Sequence, residues 1–345
     1  MCIRDRIIMN NLKKIGVSAL AGSLVAVAAN AGELSVSGSA NLTYTNEDLS
    51  NSASTPSNSS GNPFGSASDV TFNGSGDVNG MTVSFFAQID AGGGGYASNS
   101  FSVDMGDMGK IRFDQGVGGN GAAAIDDKSP TAWEESWDGI AAGDGLTMAG
   151  SQNVFEYEVS VGGFGIAASW DTEIDDSRTA DGATGAQGTS IDGSNTSFAV
   201  TNATLVDGLD FGIGFDETDV KDGTTTSTDI ETVVGYANYT VGPVTFGYTQ
   251  GETSGGAKGH DMHQMEAYGI VFAVNENLSV SYNNHEVTYA KTAGNVDQSS
   301  DKDGIAIAYS MGGASVKVQN NTTDGSATSN TYQEDRTEVN LSLAF

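Results

Sequence analysis

Apolar and polar side chains alternate along most of the chain, with a period of two residues. In 155–161 and 164–170, apolar residues occupy every second position on either side of Gly162-Gly163. This is the period of a β-strand with one apolar face. The same arrangement of strand, turn and strand returns at 239–248 and at 305–318. The β-hairpin is therefore the repeating unit of the chain.

Extended over the whole sequence, this pattern predicts 16 antiparallel strands joined by alternating short and long connections. A soluble sandwich does not confine its long loops to one end. A barrel of the outer membrane has no open edge and keeps its periplasmic turns tight. We therefore expect an all-β, transmembrane, antiparallel 16-stranded β-barrel. The predicted strands are 33–45, 68–76, 81–91, 98–105, 109–115, 152–161, 164–172, 195–205, 209–217, 229–241, 244–252, 263–274, 278–288, 303–311, 314–322 and 331–345.

The N-terminus predicts export through the inner membrane. Two lysines precede an apolar run at 15–28, and Ala29-Asn30-Ala31 matches a signal-peptidase cleavage pattern. The apolar run is too short to span a membrane, which takes about 20 residues. The signal peptide is predicted to occupy 1–31, of which 1–8 precede an already complete signal and are interpreted as a spurious leader. The mature barrel is expected to be a single domain, 32–345.

The charge balance limits the possible partners. The chain has 14 Lys and Arg against 44 Asp and Glu, a net charge of −30. Without 1–31 these counts become 10 and 43, a net charge of −33. Nucleic acid is excluded as a partner because binding phosphate requires a basic surface. An alternative is an acidic, secreted, calcium-binding surface-layer or adhesin protein, which explains the charge but not the alternation of short and long connections.

Three stretches resemble the general diffusion porins of Gram-negative bacteria. The last strand ends on Phe345 at an outward position, like the terminal Phe of the assembly signal in outer-membrane barrels. Segment 32–42 is similar to the first porin strand, and 101–115 is similar to the hairpin before the constriction loop. The resemblance implies passive diffusion of small hydrophilic solutes and ions through a barrel whose third external loop folds into the lumen. It also implies a homotrimer, contact with outer-membrane lipid and lipopolysaccharide, and insertion by the barrel-assembly machinery.

The connection 116–151 is then the third loop, and its acidic residues would line a pore constriction. Charges in a narrow channel with low-dielectric walls select ions by sign, so these acids favour cations. The alternative is that they only solvate an external loop. The candidate constriction residues are Asp126, Asp127, Glu134, Glu135 and Asp138, with Lys128 and Asp144 in the same loop.

Three basic residues share the inward parity of their strands and would form a basic pore wall. They are Arg112, Lys317 and Arg336. In porins, such residues stand opposite the acidic loop and set up a transverse field. The alternative is that they pair locally with Asp114, Glu334 or Glu338.

Neither an enzyme nor a cofactor is expected from the sequence. The chain has three histidines, His260, His263 and His285, and no nucleophile motif accompanies them. The sequence does not single out a metal site. Ca²⁺ or Mg²⁺ could bind acidic external loops, because hard cations favour carboxylates. The acids in question are Glu173, Asp175, Asp176, Asp216, Glu217, Asp219 and Asp222.

Overall fold

The computed structural model describes residues 32–50, 62–90, 95–140, 146–148, 152–171, 192–220, 227–257, 262–290, 297–326 and 329–345. The predicted signal peptide lies outside these residues. No helix within the described part of the chain is long and apolar enough to cross a membrane.

The chain forms a closed barrel of 16 antiparallel strands, as the alternating pattern predicts. Each strand pairs with its neighbours in sequence, and the first strand pairs with the last to close the ring, with Ser39 opposite Ala344. The strands are β1 (Glu33–Ser50), β2 (Phe64–Val78), β3 (Met81–Asp90), β4 (Gly95–Asp104), β5 (Lys110–Gln115), β6 (Gln152–Val161), β7 (Phe164–Asp171), β8 (Asp192–Asn202), β9 (Leu209–Val220), β10 (Ser227–Val241), β11 (Val244–Ala257), β12 (Met262–Asn275), β13 (Leu278–Ala290), β14 (Gln298–Met311), β15 (Ala314–Ser326) and β16 (Ser329–Ala344). Short 3₁₀ helices lie at Gly106–Met108 and Gly121–Ala124.

The short turns lie where the sequence predicts them, whereas several strands run further at the opposite end. Gly162 and Gly163 both have positive φ, 61° and 87°, which is the conformation that a tight two-residue hairpin requires. At the other end, β11 reaches Ala257 and β15 reaches Ser326, each beyond its predicted limit. The reason is that the hydrogen-bonded ladder continues above the apolar band, where both faces of the sheet are polar.

The outer face of the barrel carries a band of exposed apolar side chains. A soluble protein rarely exposes a continuous apolar surface of this extent, so the band marks the surface in contact with lipid. Representative members of the band are Leu34, Val36, Phe101, Ile213, Val241, Phe246, Tyr268, Ile305 and Leu343.

The inner face is polar and consists of two regions that differ in burial. We call the inner face of β6–β16 the covered wall, because its side chains are largely buried, as shown by Asn195, Thr232 and Ser300. We call the inner face of β1–β4 the open wall. Among its described side chains, only Ser98 is buried, and the others are exposed or half-buried. The cause of this difference is the long connection between β5 and β6.

Candidate pore constriction

The connection after β5 is fastened at its root by Arg112 and two carboxylates. Arg112 Nη2 lies 2.6 Å from Glu156 Oε2 and donates to Asn120 Oδ1 at 2.7 Å. It also donates to the carbonyl of Gly119 at 3.3 Å. Asp114 accepts the backbone N–H of Gly118 at 2.8 Å and the side-chain amide of Asn120 at 2.8 Å. These bonds turn the loop inward immediately after the strand ends.

The loop then crosses β6, β8 and β9 as a single 3₁₀ turn. The N–H of Gly121 donates to Glu156 Oε1 at 3.0 Å, and the N–H of Ala122 donates to Ser197 Oγ at 2.8 Å. Ala122 lies so close to Gly214 that a Cβ there would be 2.8 Å from its methyl group. Ala122 and the neighbouring Ile125 are buried in one apolar cluster. The inner face of the barrel supplies the rest of the cluster, namely Ala199, Val234 and Tyr236.

Residues 128–132 cross β10 to β13. Asn238 donates its side-chain amide to the carbonyl of Lys128 at 2.8 Å. The N–H of Ala132 donates to Ser281 Oγ at 2.8 Å. Between them, Pro130 packs on Gly247 and Gly269, where a Cβ would overlap Pro130. Glycine inside a strand often marks a close approach of backbone, and this loop is what approaches here.

Residues 133–139 complete the path along β14 to β16. Gln319 donates to the carbonyl of Glu135 at 2.8 Å, and Asn321 donates to the carbonyl of Asp138 at 3.1 Å. Arg336 Nη1 donates to the carbonyl of Gly139 at 2.5 Å. The described part of the loop therefore follows the covered wall from β5 to β16, and its hydrogen bonds satisfy backbone groups that water would otherwise have to reach.

The loop also contacts the wall at 146–148, on its return toward β6. Thr232 Oγ1 donates to the carbonyl of Thr147 at 2.5 Å, and the N–H of Thr147 donates to Thr253 Oγ1 at 3.0 Å. Leu146 packs on a second apolar cluster that contains Met265 and Val287.

The acidic residues predicted for the constriction lie in this loop, inside the barrel. Asp126, Asp127 and Glu135 border a small cavity between the loop and β13, which they share with Trp137 and His285. A second small cavity, between the loop and β15–β16, is bordered by Asp138 and Trp133 of the loop and by Arg336 and Glu338 of β16. Asp144 lies outside the described residues.

Burial changes the acidity of the loop carboxyls. The pKa of Glu135 is raised to about 7, first by burial and then by the nearby carboxylates Asp127, Glu134 and Asp138. Burial likewise raises the pKa of Glu134, with Asp138 as the next cause. The pKa of Asp138 is raised by burial first and then by Glu338. Part of the loop is therefore less negative at neutral pH than its composition implies.

The three predicted basic residues all point inward, and each contacts a partner close to it. Arg336 pairs with Glu338 at 2.7 Å, as the local alternative holds, and also binds the loop. Arg112 pairs with Glu156, which is not one of the partners that the local alternative names. Lys317 Nζ lies 5.7 Å from the ring centre of Trp133 in the loop. These bases lie against the loop, not across a gap from it.

Sequence reasoning misses several residues of this site. Glu156 lies directly opposite Arg112 in the ladder between β5 and β6. Its inward parity, together with the register of these two strands, is the signal that could have identified it. Lys302 is completely buried on the covered wall, with its Nζ 3.3 Å from His285 Nδ1. No local signal marks this pair, because a long connection rather than a tight turn joins β13 to β14 and leaves their register open in the sequence.

The acids proposed for external cation binding are distributed differently from the expectation. Asp216 lies in β9 and is buried on the inner face. Glu217 and Asp219 also lie in β9, where their carboxylates come within 4.8 Å of Asp229 on β10. Cation binding stays a prediction. Glu173, Asp175, Asp176, Asp222 and His260 lie outside the described residues, and His263 packs on Tyr289 within the sheet.

Phe345 lies at the end of the chain, on the outer surface beside the β1–β16 seam. Its N–H donates to the carbonyl of Gly38 at 3.0 Å, and the N–H of Gly38 donates back to its carbonyl at 2.7 Å. A Cβ on Gly38 would come within 2.5 Å of the Phe345 ring, so the absence of a side chain there makes room for the aromatic group. The outward parity predicted from the sequence is confirmed.

The comparisons with known proteins agree with this architecture. Residues 16–328 match the family model described as Gram-negative porin. None of the curated proteins matches the chain in sequence.

Three solved structures share the fold at low sequence identity. The anion-selective porin from Comamonas acidovorans is 14% identical with a TM-score of 0.63, over 91% of this chain and 100% of that one. OmpF of Salmonella typhi in complex with daunomycin is 13% identical with a TM-score of 0.64, over 91% and 98%. OmpT of Vibrio cholerae in its trimer form is 12% identical with a TM-score of 0.63, over 92% and 100%. At these identities the similarity shows the fold alone.

Proposed function

The chain belongs to the Gram-negative porin family, and we propose that it forms a water-filled channel that prefers cations. As a member of this family it is an outer-membrane channel. The solutes that we assign to it are small, hydrophilic molecules and ions, which diffuse passively down their gradients. The polar inner face supports this assignment, since a barrel of 16 strands leaves an aqueous lumen that its side chains do not fill.

The observation that carries the cation preference is the placement of the bases. All the bases that the structure describes lie on the lumen side: Lys110, Arg112, Lys128, Lys302, Lys317 and Arg336. Glu158, Glu156 and Glu338 pair with Lys110, Arg112 and Arg336, respectively. Lys302 is fully buried. Lys317 lies over the Trp133 ring, so five of these six bases are paired with an acid, buried or held against the loop, and Lys128 is the sixth. The inner face, in contrast, carries many carboxylates.

The fold by itself does not fix the sign of this preference. The Comamonas acidovorans porin has a similar barrel and is described as anion-selective. Selectivity must therefore come from the side chains placed in the lumen rather than from the architecture. In this chain the side chains in the lumen support a preference for cations.

The proposal is tested by reconstitution of the purified protein in a planar bilayer under a KCl gradient. We expect discrete conductance steps and a reversal potential of the sign set by K⁺ permeation. Equal permeability of K⁺ and Cl⁻ would refute the cation preference, and an absence of steps would refute the open channel. Extraction from membranes by detergent supports the barrel, whereas release by a chelator alone would favour the surface-layer alternative.

We also propose that the protein forms a homotrimer in contact with outer-membrane lipid and lipopolysaccharide, after insertion by the barrel-assembly machinery. The trimer form of the Vibrio cholerae OmpT structure supports the first part, although only through a shared fold. Chemical crosslinking in detergent tests it: a ladder that ends at three subunits is expected, and a single band at the monomer would contradict it.

A further inference from the structure

The described part of the loop, 116–140 and 146–148, lies on one side of the barrel interior. Its described hydrogen bonds and close contacts go to strands from β5 to β16, the covered wall and its border. The inner residues of β1–β4 stay exposed or half-buried, with Ser98 as the exception among those described. A space of about 810 Å³ borders this open wall, next to Asn73, Ser84 and Ser100. A second space of about 660 Å³ lies on the other side, between the loop and β5–β10, next to Lys110, Lys128 and Tyr236. Of these two spaces, the one beside β1–β4 is the larger.

The open wall carries no positive charge. Between 32 and 109 the sequence contains no Lys or Arg, and the first base after the signal peptide is Lys110. The inward residues of β1–β4 are mostly Ser, Thr and Asn, with carboxylates among them. No base of β1–β4 therefore faces the loop across the lumen.

Two of these carboxylates lie side by side. Asp69 on β2 and Asp90 on β3 are directly opposite each other in the ladder, and both face the lumen. Each is half-buried, and Ser39 Oγ donates to Asp69 Oδ2 at 3.3 Å. Asp69 is the sixth residue of β2, and Asp90 is the last residue of β3. The pair therefore lies in the half of this hairpin away from its short turn, on the side of the barrel where the loop leaves β5.

We propose that Asp69 and Asp90 are the residues that determine the preference for cations among the solutes passing between the loop and the open wall. This inference rests on the proposed channel function and assigns it a route and a filter. A cation on this route meets carboxylates on both sides. An anion meets no base on the open wall. Of the bases opposite, Arg112 and Arg336 are paired with acids and Lys302 is fully buried.

The competing assignment places selectivity in the loop acids. Glu135, the most strongly buried of them, lies between the loop and the covered wall, where its backbone carbonyl is bound by Gln319. Its carboxyl borders the small cavity with His285 instead of the wide space beside β1–β4. The two assignments therefore predict that different substitutions lower the ion selectivity: those of Asp69 and Asp90 in one case, and that of Glu135 in the other.

The first experiment measures ion permeability in planar bilayers for Asp69→Asn, Asp90→Asn and the double variant. Each single variant is expected to lower the K⁺/Cl⁻ permeability ratio about threefold, the effect of one charge about 7 Å from the ion in a watery, screened path. The matched control is Asp324→Asn, which removes an exposed outward-facing carboxylate and is expected to leave the ratio unchanged. An unchanged permeability ratio in the double variant, or an equal decrease of the ratio in Asp324→Asn, would overturn the assignment of Asp69 and Asp90 as the filter. If Glu135→Gln lowers the ratio more than the double variant does, selectivity belongs to the loop.

The second experiment tests the route with single cysteines. The only cysteine, Cys2, precedes the expected mature barrel, so 32–345 serves as a cysteine-free background. Ser100→Cys on the open wall is expected to react with a cationic methanethiosulfonate reagent and to lose conductance. Ser300→Cys, fully buried on the covered wall, is expected to react at least tenfold more slowly. The reverse order would place the route elsewhere. A background protein that forms no channel would refute the proposed function itself, whereas a normal channel with the wrong labelling order would refute only the route.

Discussion

Replacement of Arg112 by alanine should release the root of the loop from the barrel wall. Arg112 joins β5 to Glu156, and through Asn120 and Gly119 it holds the first residues of the loop. Glu156 is 2% exposed, so its carboxylate would stay buried without its counter-charge. The ladder of the barrel does not depend on this pair, and the cost should fall on the docked loop.

The expected cost is about 3–5 kcal/mol, the usual effect of removing one partner from a buried ion pair. At 1.4 kcal/mol per tenfold change, the undocked loop becomes at least about a hundredfold more populated. Lys110→Ala is the matched control on the same strand, because its pair with Glu158 is 36% and 41% exposed. Exposed pairs contribute about 0–1 kcal/mol, so this variant should resemble the parent protein.

Tryptic cleavage after Lys128 reports undocking, since this residue lies in the middle of the loop. When reclosing is faster than cleavage, the cleavage rate follows the undocked population. We expect fast cleavage and noisy conductance steps in Arg112→Ala, with both near normal in Lys110→Ala. Arg112→Lys should be intermediate, because an ammonium keeps the charge but loses the guanidinium fork. If Arg112→Ala is as resistant as Lys110→Ala, the loop is not held by this pair and the argument is wrong.

Three further predictions concern the loop and the seam of the barrel. The pKa of Glu135 is raised from its usual 4.5 to about 7, so docking of the loop should weaken from about pH 4.5 to 7 and then level off. Tryptophan fluorescence measures the docking. Glu135→Gln should abolish this pH dependence, and a dependence that persists in the variant would contradict the assignment. Gly269→Ala should displace the loop and alter single-channel conductance, because a Cβ would overlap Pro130, whereas Gly74→Ala should leave conductance normal; equal conductances would count against the contact. Phe345→Ala should lower the heat-modifiable fraction in outer membranes more than Leu343→Ala does, and equal fractions would remove the terminal Phe from the assembly signal.

The strands and turns of this protein are predictable from sequence because their signals are local. The pair Gly162-Gly163 predicts a hairpin turn, and the alternation of apolar and polar residues on either side predicts which face of each strand is outward. The upper ends of the strands are less predictable. Above the lipid the outward face turns polar, as at Asp301 and Asp324, so the period-two signal fades although the ladder continues.

The path of the loop could not be read from the sequence, because its contacts are remote in the chain. Gln319 binds the carbonyl of Glu135 from 184 residues away. Parity shows that Arg112 points inward, but its partner depends on the register of the β5–β6 hairpin, which brings Glu156 opposite it rather than Asp114. Inward glycines such as Gly247 and Gly269 are the sequence signal most closely related to the loop path. Such glycines indicate that another part of the chain packs closely there, but they do not identify that part.

Net charge alone is a poor guide to the selectivity of this channel. Asp301, Asp324 and Asp335 contribute to the acidity of the chain, yet they face outward on the upper part of β14, β15 and β16. An ion in the lumen lies on the far side of the sheet from them, and charges beyond about 10 Å are largely screened at 0.1 M salt. Asp69 and Asp90 face the same ion directly. Two porins with identical net charge can therefore differ in sign of selectivity, and the difference depends on which side chains share the lumen with the ion.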